Sequence, residues 1–316
     1  MSPVRILSLI SICFVRLVAA RAEVQSDDLP YILHGKYFDF CYQRESWDAA
    51  GFARFADGFV ELVNRDFLEL PFAYPIKVLV LTDRARFKQY LSTRFRVIDP
   101  PNWGMYFSDP GLFVTFEDSG IGTFAHEIMH PLVGRNIPDC PVWATEAIPA
   151  FFEKFFGYWD RDRIVAQWGY QNPWRVEALG ARMATLELSR ILSDPRPVTE
   201  YANSERRLLS MFLWEHGKFR LFLKLVKDQK CLGYRSYFEA ALGKPLEEIE
   251  PIWKKYLANI TANRTAIRRI PASAVFPDRA SYETTILALH LWRQEPVEDD
   301  LEVNMPTPRA SNSSIP

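Results

Sequence analysis

The strongest constraint on the structure of this chain is a five-residue stretch that places His126, Glu127 and His130 together. Residues four positions apart lie on one face of an α-helix, so the two imidazoles would stand one turn apart. Apolar residues at positions 124, 128 and 132 surround the motif, which is typical of a helix packed into a core. The stretch therefore predicts a core-packed helix that presents two histidines side by side.

Two imidazoles in this arrangement can bind one Zn²⁺ ion, and Glu127 can take a proton from a zinc-bound water without being a ligand. Glu146 stands sixteen residues after His130 and three after Trp143, where it opens the next helical segment. With Glu146 the set becomes two histidines and one glutamate, with a fourth position left for water or substrate. The alternative third ligand is Glu153, two helical turns beyond Glu146 on the same face. We expect one zinc ion per chain.

The hydrophobic pattern predicts an α+β fold: a small mixed-sheet lobe that includes the motif helix, followed by a mostly helical lobe. In the first lobe the pattern indicates a helix over residues 47–68, a strand over 76–81 and a second helix over 83–91 capped by Thr82. A hairpin is expected from residues 103–107 and 112–116, joined by an Asp-Pro-Gly turn. After Asp139 no segment has strand character, and apolar periodicity predicts helices up to residue 260.

Residues 1–22 have the pattern of a signal peptide: one positive charge, a ten-residue apolar run and Ala20-Arg21-Ala22 at the cleavage point. A peptidase domain is expected over residues 23–293, with the sheet lobe at about 31–135 and the helical lobe at about 136–293. Residues 294–316 are rich in Pro, Ser and acidic side chains, which predicts a disordered tail. The protein is expected to be secreted or periplasmic.

The remaining bulk features are those of an ordinary globular protein. The net charge is −1 and there is no basic run, so no nucleic-acid partner is expected. No segment after the signal is long and apolar enough for stable membrane insertion. Cys41, Cys140 and Cys231 follow the signal without Cys-x-x-Cys spacing, which permits at most one disulfide, of undetermined pairing.

The residues around the motif resemble the gluzincin branch of zinc peptidases, in which the histidine helix is followed by a Trp-x-x-Glu helix. Residues 122–130 and 142–148 carry this resemblance. More narrowly, the chain is similar to exported peptidase MA-like proteins through the Asp-Arg-x-x-Phe segment at 83–87 and the segment at 246–256. The resemblance covers roughly residues 37–257 and implies a zincin-like fold.

The resemblance implies site roles for particular residues: His126, His130 and Glu146 as zinc ligands and Glu127 as general base. It also implies that a downstream Tyr or His stabilises the oxyanion, and Tyr201 is the best positional match. The strand at residues 112–116 would be the sheet edge that pairs with extended substrate backbone.

Two prolines and one alanine depart from the family pattern. Pro131 directly follows His130, and we expect the helix to kink or stop there because proline disfavours helix at the preceding residue. Pro149 is expected in the first turn of the glutamate helix, where proline is tolerated. Ala147 replaces the glycine that is usual after the ligand glutamate.

The chain is thus predicted to be a zinc metallopeptidase that hydrolyses peptide bonds of a peptide or protein substrate, with Glu127 as general base for a metal-activated water. One alternative is a non-enzymatic exported binding or assembly protein on a peptidase fold. The other is a zinc hydrolase of a non-peptide amide or ester.

Overall fold

The apolar strand expected at residues 76–81 forms the centre of a five-stranded sheet. The computed structural model describes residues 29–68, 75–109, 111–137, 140–192, 200–228 and 236–286. The strands of this sheet are β1 (Tyr31–His34), β2 (Phe38–Tyr42), β3 (Ile76–Leu81), β4 (Met105–Phe107) and β5 (Leu112–Phe116). Their order is β1-β2-β3-β5-β4, with β2 and β5 parallel to β3 and with antiparallel β1 and β4 outside them. A strand between two parallel neighbours is buried on both faces, which explains the mostly apolar sequence of β3.

Side chains along β3 alternate between two separate cores. Val78 and Val80 face the large core, whereas Leu79 and Leu81 face a smaller one. The predicted amphipathic helix is confirmed as α1 (Ala49–Val63), which covers the large-core face and continues into a π-helical turn.

Helix α2 (Arg84–Arg94) covers the smaller core, and its capping residue differs from the prediction. Asp83, rather than Thr82, is the N-cap, and its carboxylate accepts a hydrogen bond from the Arg86 amide at 2.9 Å. Asp83 is extended and directly precedes the first helical residue, so its side chain reaches the free amides of the first turn.

The segment after Asp139 contains strands, so the prediction that no strand follows Asp139 is wrong. A second sheet has the order β7-β6-β8 and consists of β6 (Phe156–Asp160), β7 (Arg163–Gln167) and β8 (Ala274–Phe276). Strands β6 and β7 form a hairpin whose two-residue turn begins with Arg161 at φ 58°. Strand β8 pairs in parallel with β6, although more than a hundred residues of sequence separate the two strands. No local pattern predicts such a pairing.

Helices make up most of the remaining described residues. They are α3 (Ile121–Asn136), α4 (Val142–Phe152), α5 (Pro173–Leu179), α6 (Leu188–Leu192), α7 (Glu200–Glu215), α8 (Phe219–Asp228), α9 (Ser236–Leu242), α10 (Leu246–Ala262), α11 (Arg264–Ile267) and α12 (Arg279–Ile286), with a 3₁₀ turn at Gly180–Thr185. Gly217 follows α7 with φ 67°, as predicted for a glycine at a helix C-terminus.

One apolar core joins the two lobes. It runs from β2 and α1 through α3 and α4 to α7, α8 and α10, so the helical segment is packed onto the large-core face of the first sheet. The chain therefore has a mixed α+β fold. None of its described helices combines the length and apolarity needed to cross a bilayer. The predicted signal (1–22) and tail (294–316) lie outside the described residues.

Candidate metal centre

Helix α3 brings the two motif histidines together. The ring centroids of His126 and His130 are 5.1 Å apart. Gly120 precedes the helix at φ 84°, a conformation that favours glycine. A kink or a stop was expected at His130. Helix α3 does not stop there but continues through Pro131 to Asn136.

Helix α4 packs against α3 and adds a carboxylate to the pair. Glu146 Oε2 lies 3.6 Å from His126 Nε2 and 3.9 Å from His130 Nε2. One ligand atom from each of these three residues lies within 4.8 Å of the others. Tetrahedral zinc ligands at about 2.0–2.1 Å from the ion stand roughly 3.4 Å from one another, so both carboxylate–imidazole distances lie within about half an ångström of that spacing. The three residues could hold a metal ion.

Buried side chains of α7 hold the glutamate helix. Ser210 Oγ donates to the Ala147 carbonyl at 2.5 Å, and the fully buried Arg207 guanidinium donates to the Ala150 carbonyl. Helix α4 begins at Val142, so Pro149 lies in its interior and not in the first turn as expected. Ala150 lies in the last turn of α4, whose carbonyls lack an intrahelical partner, so the Arg207 donor compensates for one of them.

Glu153, the alternative third ligand, lies on the other side of the His126 ring. Its Oε2 is 3.3 Å from His126 Nδ1, although the angle is poor for a hydrogen bond. Arg175 donates to both carboxylate oxygens, at 3.0 and 2.8 Å, and Asn172 Nδ2 donates to Oε1 at 2.8 Å. Glu153 is the C-cap of α4 and keeps helical backbone dihedrals, two turns after Glu146, so both carboxylates approach the His126 ring.

This arrangement gives His126 a carboxylate at each nitrogen. Glu146 faces Nε2, where a metal would bind, and Glu153 faces Nδ1. A carboxylate beside the non-ligating nitrogen of a metal-binding histidine orients the ring and strengthens the ligand. Sequence reasoning missed this role, and it missed Arg175 and Asn172 entirely.

The charges of the three candidate ligands are strongly coupled. Burial alone would lower the pKa of His126, but the neighbouring carboxylates of Glu146 and Glu153 raise it to about 9. Burial lowers the pKa of His130 to about 4. Burial would raise the pKa of Glu146, yet the nearby His130 and His126 bring it down to about 2. The Glu146 carboxylate therefore stays ionised next to the two imidazoles.

Glu127 lies next to the ligand set, beneath β4. Burial raises the pKa of its carboxyl group to about 7, although the backbone N–H of Tyr106 donates to it and opposes that rise. Gly104 allows this close approach, since a Cβ there would lie 3.1 Å from Glu127 Cγ and 3.0 Å from Phe113 Cε2. The strand backbone thus packs directly against the carboxyl group.

The sheet edge beside the site is β4, not β5 as the resemblance implied. Strand β5 pairs with β3 on one side and with β4 on the other, so its backbone groups are already used. Strand β4 is outermost in the order, so among the described strands only β5 pairs with it. The hairpin was predicted, but which of its strands joins β3 depends on tertiary pairing.

A cavity of about 490 Å³ opens beside the candidate ligands. Its described lining residues are Tyr106, Ser108, His130, Val133, Gly134, Thr145 and Glu146. The Tyr106 and His130 rings are almost parallel, with centroids 6.2 Å apart. The cavity lies between strand β4 and two of the candidate ligands, His130 and Glu146.

Tyr201, the predicted oxyanion stabiliser, does not line this cavity. It is 45% exposed, and the Arg182 guanidinium lies 4.8 Å from its ring centroid. Its catalytic role stays a prediction. Among the described residues Cys41 and Cys140 are free thiols, while Cys231 lies outside those residues.

No family model matches the chain, and no curated protein matches it either.

Proposed function

We propose that this protein is a zinc-dependent peptidase with a zincin-like fold. The observation that carries the proposal is the convergence of His126, His130 and Glu146 on one point, with the Glu127 carboxyl group beside them and the outer strand β4 alongside. Three protein ligands of this kind leave a fourth position open, which is the pattern of catalytic rather than structural zinc.

The ligand residues are supported by a second layer of contacts. Glu153 lies against His126, and Arg175 and Asn172 hold Glu153, so the ring has a defined orientation before a metal arrives. Such support is typical of working metal sites and raises metal affinity. A chance cluster on a surface would lack it.

When bound, zinc would lower the pKa of a water ligand and polarise the scissile carbonyl. Glu127 accepts a proton at a carboxylate oxygen from the attacking water, whose oxygen forms the new bond to the carbonyl carbon. The carbon–nitrogen bond then breaks, and Glu127 returns the proton to the leaving amine nitrogen. A carboxyl pKa near neutrality suits this exchange, because acid and base forms are both accessible.

Strand β4 would position the substrate. An extended peptide would add a strand to the sheet at the outer edge of β4. Because Tyr106 N–H already donates to Glu127, the same strand would align the peptide with the general base. An extended peptide is the substrate that such an edge fits best.

Cleavage of a diverse peptide mixture, read by mass spectrometry, tests the proposal. The zinc-loaded wild type should cut, Glu127→Gln should bind zinc without cutting, and Glu146→Gln should lose zinc as well. Glu177→Gln is a matched control, since this carboxylate binds two arginines on the surface away from the site. Zinc-loaded wild type that cuts nothing, or Glu127→Gln that cuts as well as wild type, would reject the proposal.

A further inference from the structure

The surface of helix α2 and of the loop that follows it is strongly basic. No acidic residue lies between Asp83 and Asp99, whereas five residues there are cationic: Arg84, Arg86, Lys88, Arg94 and Arg96. The whole chain carries a net charge of −1, so these five cations leave −6 for the remaining residues. They are spaced too widely to form a run in the sequence, but four of them are exposed and Lys88 is half-buried. Positive charge is therefore concentrated on one part of an otherwise acidic chain.

The loop over residues 95–103 runs back along α2, from the C-terminal end of the helix to its N-terminal end. Near the start of the loop, the Val97 N–H donates to the Leu91 carbonyl at 3.2 Å. At its end, the Arg84 guanidinium lies 4.1 Å from the centroid of the Trp103 ring. Because both ends of the loop contact α2, the helix and the loop form one continuous surface.

Two large apolar side chains are exposed on this surface. Ile98 is 94% exposed and Trp103 is 39% exposed, although the neighbouring Val97 packs against the smaller core. Folding therefore buries Val97 and leaves Ile98 in water. Pro100 and Pro101 lie between the two exposed side chains and have no backbone N–H. This part of the loop consequently has few backbone donors to desolvate if it enters an apolar phase.

Cations around an exposed isoleucine and an exposed tryptophan have the chemistry that an anionic lipid surface requires. Each lysine or arginine near acidic headgroups strengthens binding about fivefold. Tryptophan favours the level of the headgroups, and isoleucine gains from contact with acyl chains. An acidic protein would compensate the cations but would bury Ile98 only if it also supplied an apolar groove. A bilayer provides both the negative charge and the apolar phase.

We propose that α2 and the loop over residues 95–103 form a docking surface for an anionic lipid bilayer, with Ile98 inserted at the boundary between headgroups and acyl chains. Such attachment is peripheral and requires no membrane-spanning segment. The proposal goes beyond the peptidase function and does not depend on it, because it uses neither Glu127 nor any of the candidate ligands.

Sedimentation of the protein with lipid vesicles tests the proposal. The protein should bind phosphatidylcholine vesicles that contain phosphatidylglycerol, should not bind vesicles of phosphatidylcholine alone, and should bind more weakly as salt is added. Ile98→Ser should lower the partition coefficient about tenfold, because an apolar side chain no longer leaves water on binding, whereas Ile98→Trp should keep it. The matched control is Ile32→Ser, which removes an exposed isoleucine from β1 at the opposite edge of the sheet.

A second pair of variants tests the cations. Lys88→Gln/Arg96→Gln should weaken binding to the anionic vesicles by about tenfold or more, because two charges leave the surface. The control Lys244→Gln/Lys255→Gln removes the same charge from exposed positions in the helical lobe and should leave binding unchanged. Urea unfolding should show Ile98→Ser to be as stable as wild type, because Ile98 is already in water, so its loss of binding is not a folding defect.

Three results would overturn the proposal. The first is equal binding to both kinds of vesicle, and the second is binding that Ile98→Ser leaves unchanged. The third is binding of heparin with no binding to either vesicle, which would assign the surface to a soluble polyanion. Failure of the zinc-loaded wild type to cut peptides would reject the peptidase proposal and leave this inference intact.

Discussion

Replacing Glu153 by glutamine should weaken both folding and zinc binding, because this carboxylate serves two groups. It compensates the buried guanidinium of Arg175 through two hydrogen bonds, lies 3.7 Å from Arg207, and faces Nδ1 of His126. Glutamine has the same shape, but its NH₂ group would face an N–H donor of Arg175 where the carboxylate oxygen accepts a hydrogen bond. The change therefore removes charge and acceptors without opening a cavity.

The expected loss of unfolding free energy follows from the burial of two arginines. The Arg175 and Arg207 side chains are 8% and 1% exposed, so they would be left as buried cations without their counterion. Removing one partner of a buried ion pair costs about 3–5 kcal/mol of unfolding free energy. Losing the carboxylate beside a ligating histidine costs about 10- to 100-fold in metal affinity.

Urea unfolding of the metal-free protein and zinc competition with a chromophoric chelator measure the two effects. The matched control is Glu177→Gln, which removes a carboxylate that also accepts hydrogen bonds from two arginines, Arg264 and Arg268, but on the surface. We expect the control to cost about 1 kcal/mol or less and to leave zinc affinity unchanged.

The double variant Glu153→Gln/Arg175→Met separates the two roles. It should regain part of the stability, because one unpaired cation is gone, but none of the zinc affinity. The reasoning would be refuted if Glu153→Gln destabilised no more than the surface control and bound zinc within about threefold of wild type.

Three further predictions concern two glycines, the pH dependence of zinc binding and a buried lysine. Gly122→Ala should destabilise by about 1–3 kcal/mol in thermal or urea unfolding, because its Cβ would lie 2.4 Å from the Glu153 carbonyl oxygen, whereas Gly134→Ala, which meets nothing, should stabilise. Zinc affinity should rise about tenfold per pH unit between pH 6 and 8 in chelator competition, because His126, with a pKa of about 9, must lose its proton to bind; a flat profile would contradict this. Burial lowers the pKa of Lys154 to about 7, so the folded state binds fewer protons than the unfolded state above that pH. Stability should therefore rise between about pH 7 and 10, and Lys154→Met should remove that rise in urea unfolding.

The parts of the site that could be predicted from sequence are those set by local spacing. The four-residue separation of His126 and His130 places them on one face once the helix forms, and in the structure their rings lie side by side. The apolar run of β3 and the turn between β4 and β5 are likewise local, and both elements are present. Glu146 was chosen over Glu153 from its Trp-x-x-Glu context, and the structure places Glu146 with the two imidazoles.

What could not be predicted depends on contacts between distant segments. Arg175 reaches Glu153 from a short helix 22 residues further on, and nothing in its neighbourhood marks it as buried. The parallel pairing of β6 with β8 and the position of β4 outside β5 are likewise set by tertiary pairing. Which nitrogen of His126 each glutamate faces is likewise set by the packing of α4 against α3, which no local pattern shows.

The continuation of α3 beyond Pro131 shows how tertiary burial outweighs a local preference. Proline inside a helix costs about 3 kcal/mol or more, through a lost hydrogen bond and a clash with the carbonyl four residues earlier. Beyond it, Leu132, Val133 and Ile137 are 0%, 1% and 4% exposed. Burying each of these side chains stabilises by about 1.5–3 kcal/mol, so the three together exceed the cost of the proline. The helix therefore continues because its last turns are packed into the core, and those same turns carry Gly134 to the cavity beside His130.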